Sequence, residues 1–226
     1  MRFLVFVLLV WPAALLAELQ SLFPSQGSAS RSVAAPASLF AGSGTGFFTP
    51  PAPRVEPAVL RNPLGTGHTP VDRLLGLIAQ AEAGPAGYDA VQHGARIRPS
   101  KRPTQMTLGE IYAWIAATPG QPHAIGRYQF IPSTLRRVAR ERGFGPDTQF
   151  TPGVQDVLAL VLLEDAGLSE FKAGQMDRTV FMHNLARIWA GLPLPTGKSY
   201  YDGYAGNSAT MSWAAFEGGM RAIWGS

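Results

Sequence analysis

Two carboxylates and one amide stand where side-chain chemistry is most readily built. Glu82 closes the stretch LLGLIAQAE (74–82), in which Leu74, Leu75, Ile78 and Ala81 recur at helical spacing and make one apolar stripe. Gly84 and Pro85 then stop the helix. A lone acid ending an apolar stripe, where a helix breaks into a Gly-rich loop, lies at the edge of a core and beside a cavity. Partial burial there disfavours the charged carboxylate and raises its pKa, as a general acid working near neutral pH requires. The plain alternative is an ordinary solvated glutamate near a helix end. Asp89 follows in GYDAVQHG (87–94). It is either a second carboxylate facing Glu82 or a turn former that bonds its own backbone. The third group is Gln129, in AIGRYQFIPST (124–134), between Tyr128 and Phe130. Its amide offers a donor and an acceptor together, so beside a sugar it can read an acetamido group or hydroxyls. Otherwise Tyr128 and Phe130 are core and Gln129 is merely satisfied.

The elements that must position these groups sit in a chain of 226 residues with only 15% charged residues, 25 Gly and 19 Pro. Such a chain holds one domain of ordinary size, plus appendages and many loops. Residues 1–17 read as an export signal: Arg2, an unbroken apolar run over 3–10, then a small-residue end. The run is short for a membrane span, with an uncleaved anchor as the alternative. Residues 18–70 are rich in Gly, Ser, Ala and Pro and keep no apolar period, so a disordered tether is expected there. The folded part is expected over residues 71–226.

Within it, the spacing predicts five or six helices and at most one small hairpin. After the first helix come Arg96, Arg98, Lys101 and Arg102, a solvated loop or a basic lip for a polar polymer. Thr107 and Glu110 form a capping box for a helix with Leu108, Ile111, Tyr112 and Ile115 inward, stopping near Pro119. Pro132 opens the next helix at its first turn. The helix begun by Thr151-Pro152 is apolar on nearly every side and is expected at the centre of the core. Asp177 should cap another, with Val180, Phe181, Leu185, Ile188 and Trp189 inward and His183 at the core or its rim. A long loop with several Tyr follows, including Tyr204, and a last helix from about Ser208 buries Met211, Ala215, Met220 and Trp224.

Some chemistries are set aside by composition. There is no cysteine, and no His, Asp or Glu grouping has metal spacing, so neither metal nor other cofactor is expected. The net charge of +4 fits an anionic surroundings. A basic nucleic-acid binder fits the overall charge. It fits neither the export signal nor residues 71–226, where 15 basic residues face 13 acidic ones.

AE at 81–82, GYDAVQHG at 87–94, GRYQ at 126–129 and IWAGLP at 188–193 together resemble the phage lambda endolysin family of phage-type muramidases. That family carries an acid-ended helix, a Gly-Tyr-Asp segment, a Gly-Arg-Tyr-Gln motif and an Ile-Trp-Ala-x-Leu-Pro segment in the same order. The resemblance covers about residues 71–224. It implies a lysozyme-like fold, mainly α with a small β element, and cleavage of the MurNAc–GlcNAc bond of peptidoglycan. It implies further that Glu82 is catalytic and that Tyr88, Arg127, Tyr128, Gln129 and Tyr204 touch the glycan. The chain has Ala83-Gly84 where the family commonly has Gly-Thr, and a shorter loop to the Gly-Tyr-Asp segment.

Glycoside cleavage needs an acid on the leaving oxygen and ordinarily a second carboxylate about 5–5.5 Å or 6.5–9.5 Å away. Asp89 facing Glu82 would make a hydrolytic muramidase. Asp89 held in a turn would leave Glu82 as acid and then base, with the sugar's C6 hydroxyl attacking to give a 1,6-anhydro end. The second outcome is expected: a monomeric lytic transglycosylase acting on glycan strands in the periplasm or cell envelope, with no membrane span after processing. A catalytically silent wall-binding module is the remaining alternative.

Overall fold

The computed structural model describes residues 69–204 and 206–225, so the expected signal and nearly all of the expected tether lie outside the described residues. The described chain is mainly α. Seven helices are seen among these residues, and strand pairing is confined to isolated bridges. None of the helices is long and apolar enough to cross a membrane.

Helix α1 (Pro70–Glu82) starts one residue earlier than the expected folded boundary, because Thr69 and Asp72 form a reciprocal capping box. Pro70 stands at the first turn, where its missing N–H costs nothing. Leu74, Leu75 and Ile78 are fully buried, and the stripe runs straight to Glu82 at the last turn. Beyond it the chain folds into a short 3-10 segment over Gly84–Asp89, kinked at Gly87. A second 3-10 turn, Pro103–Gln105, lies just before α2.

Helix α2 (Leu108–Ala117) has the capping box expected of Thr107 and Glu110 and ends at Thr118. Trp114 joins its buried face, and its indole N–H donates to the Ile97 carbonyl at 2.9 Å. Helix α3 (Pro132–Glu141) lays Leu135, Val138 and Ala139 on α4 (Pro152–Asp165). As its all-round apolar pattern requires, α4 is the buried centre, with Leu158, Ala159 and Leu163 fully enclosed. A one-turn helix α5 (Leu168–Lys172) then links to α6 (Arg178–Ile188). Helix α7 (Trp213–Trp224) packs back on α1.

Three expectations are corrected. Asp177 occupies the N-cap position of α6 without a side-chain bond to the helix. Val180 is 50% exposed, on the outer side of α6. The last helix starts at Trp213, behind the Ser212 cap, and there Phe216 rather than Ala215 fills the core. Helical spacing identifies a stripe but does not say which edge of it the neighbouring helix covers.

The small β element is a minimal ladder: Ile125 bridges both Val91 and Phe130. It ties the GYDAVQHG segment to the GRYQ segment, with Gly126 N–H donating to Ala90 O at 2.8 Å. Gly126 has φ 80, and a Cβ there would fall 2.5 Å from Gln155 Oε1 and 2.8 Å from the Phe150 ring. Only glycine fits.

Candidate active site

Glu82 projects from the C-terminal end of α1 against the segment after α6. Its Oε1 accepts the Gly191 backbone N–H at 2.8 Å. Part of its surface reaches solvent, yet protein surrounds it closely. Burial pushes its carboxyl up to about 7, against a smaller opposing effect from the Gly191 N–H, which favours the charged form.

That arrangement explains the IWAGLP segment. A Cβ on Gly191 would lie 2.6 Å from the Ala81 carbonyl oxygen and 3.0 Å from Glu82 Oε1, so the backbone reaches the acid only because position 191 has no side chain. Thr210 holds the same junction from the other side. Its hydroxyl donates to Ala81 O at 2.7 Å, and its N–H donates to Gly191 O at 2.9 Å. Ser199 Oγ donates to Ala190 O at 2.7 Å, and Trp189 Nε1 to Tyr128 O at 3.2 Å. The acid is thus clamped by residues more than a hundred positions away in sequence.

Asp89 is occupied elsewhere. Its Oδ1 accepts both the N–H of Thr104 at 2.9 Å and its hydroxyl at 2.7 Å. The carboxylate therefore staples the 3-10 segment after α1 to the 3-10 turn that follows the basic loop.

Tyr88, Arg127 and Tyr128 do come together, but around a residue that the sequence reading passed over. Asp156, fully buried on α4, accepts the Tyr88 hydroxyl at 3.0 Å to each oxygen and the Tyr128 hydroxyl at 2.5 Å. Burial, with the Asp156 charge second, pushes both phenols well above their usual range. The Arg127 guanidinium lies 4.7 Å over the Tyr88 ring and 6.0 Å from that of Tyr128. Tyr128 is 1% exposed and has no surface to offer a glycan, so its expected binding role gives way to a core one. Tyr88 and Arg127 are only partly buried.

Gln155, next to Asp156 and equally buried, ties the same loops through backbone. Its Nε2 donates to Tyr88 O at 3.0 Å and to Phe150 O at 3.1 Å, and its Oε1 accepts Arg127 N–H at 2.8 Å. A signal for the pair was present: two polar residues inside an otherwise apolar helix must be hydrogen-bonded to something.

Gln129 is half-buried and has φ 44, the one positive φ at a non-glycine residue among those described. Its Nε2 donates to Gly126 O at 2.9 Å, which holds the turn and leaves its carbonyl oxygen able to accept a further hydrogen bond. Strained backbone of this kind persists where surroundings enforce it, often at functional sites. Tyr204 is 73% exposed on the loop after α6. In the basic loop, Arg96, Arg98 and Arg102 are exposed, and Lys101 pairs with Glu110 at 2.6 Å. His183, expected at the core or its rim, is exposed beside Tyr200. No group of His, Asp or Glu among the described residues is arranged to hold a metal.

The arrangement suits proton transfer at a single carboxyl. No curated protein and no solved structure matches the chain. Residues 74–217, from the stripe of α1 into α7, match the family model described as Endolysin, and the chain belongs to this peptidoglycan-degrading family.

Proposed function

We propose that the chain is a peptidoglycan lytic transglycosylase that cleaves the MurNAc–GlcNAc bond with Glu82 as its sole proton carrier. The observation that carries this reading is the burial of one carboxyl against the Gly191 N–H. Glu82 is raised to about 7, with Oε1 fixed by the Gly191 N–H, so Oε2 is left to hold the proton near neutral pH.

Glu82 gives that proton to the glycosidic oxygen as the C1–O bond breaks, and the leaving sugar departs as an alcohol. The carboxylate so formed takes the proton of the MurNAc C6 hydroxyl, whose oxygen closes on C1. The product is a 1,6-anhydro ring, no water is consumed, and Glu82 ends protonated as it began. The Gly191 N–H stabilises the carboxylate stage, when the charge on Glu82 is fullest. Asp89, with Oδ1 spent on Thr104, supports a route that needs no second carboxylate. Gln129 offers its carbonyl oxygen to an acetamido N–H, with Tyr88, Arg127 and the exposed Tyr204 as further contacts. Export through residues 1–17 brings the monomeric enzyme to its substrate in the periplasm or cell envelope, with residues 18–68 as tether.

Digestion of sacculi in ¹⁸O-water, followed by mass spectrometry of the released muropeptides, tests the reading. New ends should be anhydro and unlabelled. Labelled reducing ends as the main product would identify a hydrolase, and strand binding without products would identify a silent module.

A further inference from the structure

A cavity of about 430 Å³ opens between α3, α4 and α6, and Glu82 is not among its lining residues. Its walls carry Thr134, Arg137, Asp165, Asn184, Arg187 and Trp189. It nevertheless adjoins the proposed centre. Trp189 stands two residues before the Gly191 that bonds Glu82, a span of at most ~7 Å of chain. Gln129 lines the cavity as well. The segment that bonds Glu82 thus continues directly into the wall of this cavity.

The charges in the cavity differ in what they leave over. Arg137 is bonded to Asp165 and also to Glu141, so both signs are spent there. Arg187 has no ion pair among the described residues. Its guanidinium lies 5.4 Å over the Tyr200 ring, which orients the fork without using its donors on a carboxylate. Asn184 gives its Nδ2 to Ala166 O at 3.0 Å, so its carbonyl oxygen can accept an N–H. Thr134 adds a hydroxyl on the α3 wall.

A planar cation beside an amide acceptor fits a carboxylate on a peptide better than a neutral sugar ring. The volume lies within the range of built small-ligand sites and exceeds what a lone anion needs. On a peptidoglycan strand, the groups that combine carboxylates with peptide N–H are the stems on MurNAc. We propose that this cavity receives a carboxylate of the peptide stem, with Arg187 as the cation that meets it. The inference rests on the peptidoglycan reading and names the part of that substrate which this face selects. Stem-bearing strands are the preferred substrate, and bare glycan is held by the cleft alone.

The test is chosen to need no turnover. A synthetic acidic tetrapeptide stem, and the same peptide with its carboxyls converted to amides, are titrated into the full chain and followed by NMR. Saturable shifts at Arg187, Asn184 and Thr134 are expected with the acidic peptide only. Arg187→Gln should weaken that binding about tenfold or more, the usual worth of a charge-assisted hydrogen bond. Thr134→Val, on the opposite wall, checks the location by a smaller loss with Arg187 intact. Equal binding of the amidated peptide, or no effect of Arg187→Gln in a normally folded chain, overturns the proposal. Kinetics add a second arm: Arg187→Gln should raise KM on stem-bearing strands with kcat unchanged, and leave amidase-stripped strands unaffected. An equal KM loss on stripped strands would assign Arg187 to the glycan itself and overturn the stem assignment. Failure of the wild type to cleave any strand, with peptide binding intact, would instead fault the transglycosylase reading.

Discussion

At Glu82 the burial that we propose prepares a general acid also writes a pH dependence into the fold. Between pH 4.5 and about 7 the folded chain holds a proton that the unfolded chain has released. Stability from this group is therefore complete below the unfolded pKa and is lost as pH rises through the folded one. At ~1.4 kcal/mol per unit, the loss is about 3 kcal/mol at most. Glu82→Gln removes the titration, so its denaturation midpoint should vary less over this window than that of the wild type, and should be higher at pH 7. A wild-type urea midpoint that changes no more between pH 5 and pH 7 than that of Glu82→Gln would contradict the burial of this carboxyl. Gln129 poses a different question, because φ 44 and its bond to Gly126 make alanine a poor probe. Gln129→Gly suits that φ and removes the amide. Turnover should fall about tenfold for a lost substrate hydrogen bond, with a small change in melting temperature, read by muropeptide release and calorimetry.

Among the elements, the join between the end of α1 and the segment after α6 matters most. Gly191→Ala puts a methyl against the Ala81 carbonyl and Glu82 Oε1. Overpacking of this kind costs ~1–3 kcal/mol, and the shifted backbone withdraws its N–H from the carboxylate. The Glu82 pKa should then rise further, and the activity profile should move to higher pH as well as falling in height. A Gly191→Ala enzyme with an unmoved pH profile would contradict the clamp. How legible these elements were depended on range. The Thr107–Glu110 box, the Pro at the start of α3 and the buried α4 are local patterns, and all could be read. The acid at the end of α1 could be read too, since a stripe and a stop define it. Gln155 and Asp156 could not be placed, because their partners lie 67 and 68 residues away at Tyr88. Gly191 looked like one more loop glycine, as its constraint comes from a carbonyl on another helix. Tyr128 was assigned to the glycan because a motif does not distinguish a ring facing the cleft from one facing the core.

For the molecule as a whole, the fold is a helical shell around α4, with two loops tied to its first turns by Gln155 and Asp156. We propose that residues 1–68 add nothing to this fold. A chain beginning at Thr69 should therefore melt with the cooperativity of the mature protein and match its activity. One beginning at Val71 loses the Thr69 cap and Pro70, and should be about 1 kcal/mol less stable. A chain from Thr69 that melts far below the mature protein would show that the tether belongs to the folded unit.

With Glu82 proposed as sole proton carrier, one comparison bears on the centre most directly: anhydro-muropeptide release by Glu82→Gln against the wild type, at pH 7 and matched folded concentration. Glutamine keeps the size of the side chain and an oxygen for the Gly191 N–H, but cannot exchange a proton. Loss of a general acid–base group costs on the order of 10²–10⁴ in rate, and more is expected where no second group shares the work. The expected result is a chain that folds, binds sacculi and releases almost nothing. Sustained release by a correctly folded Glu82→Gln protein would contradict the assignment.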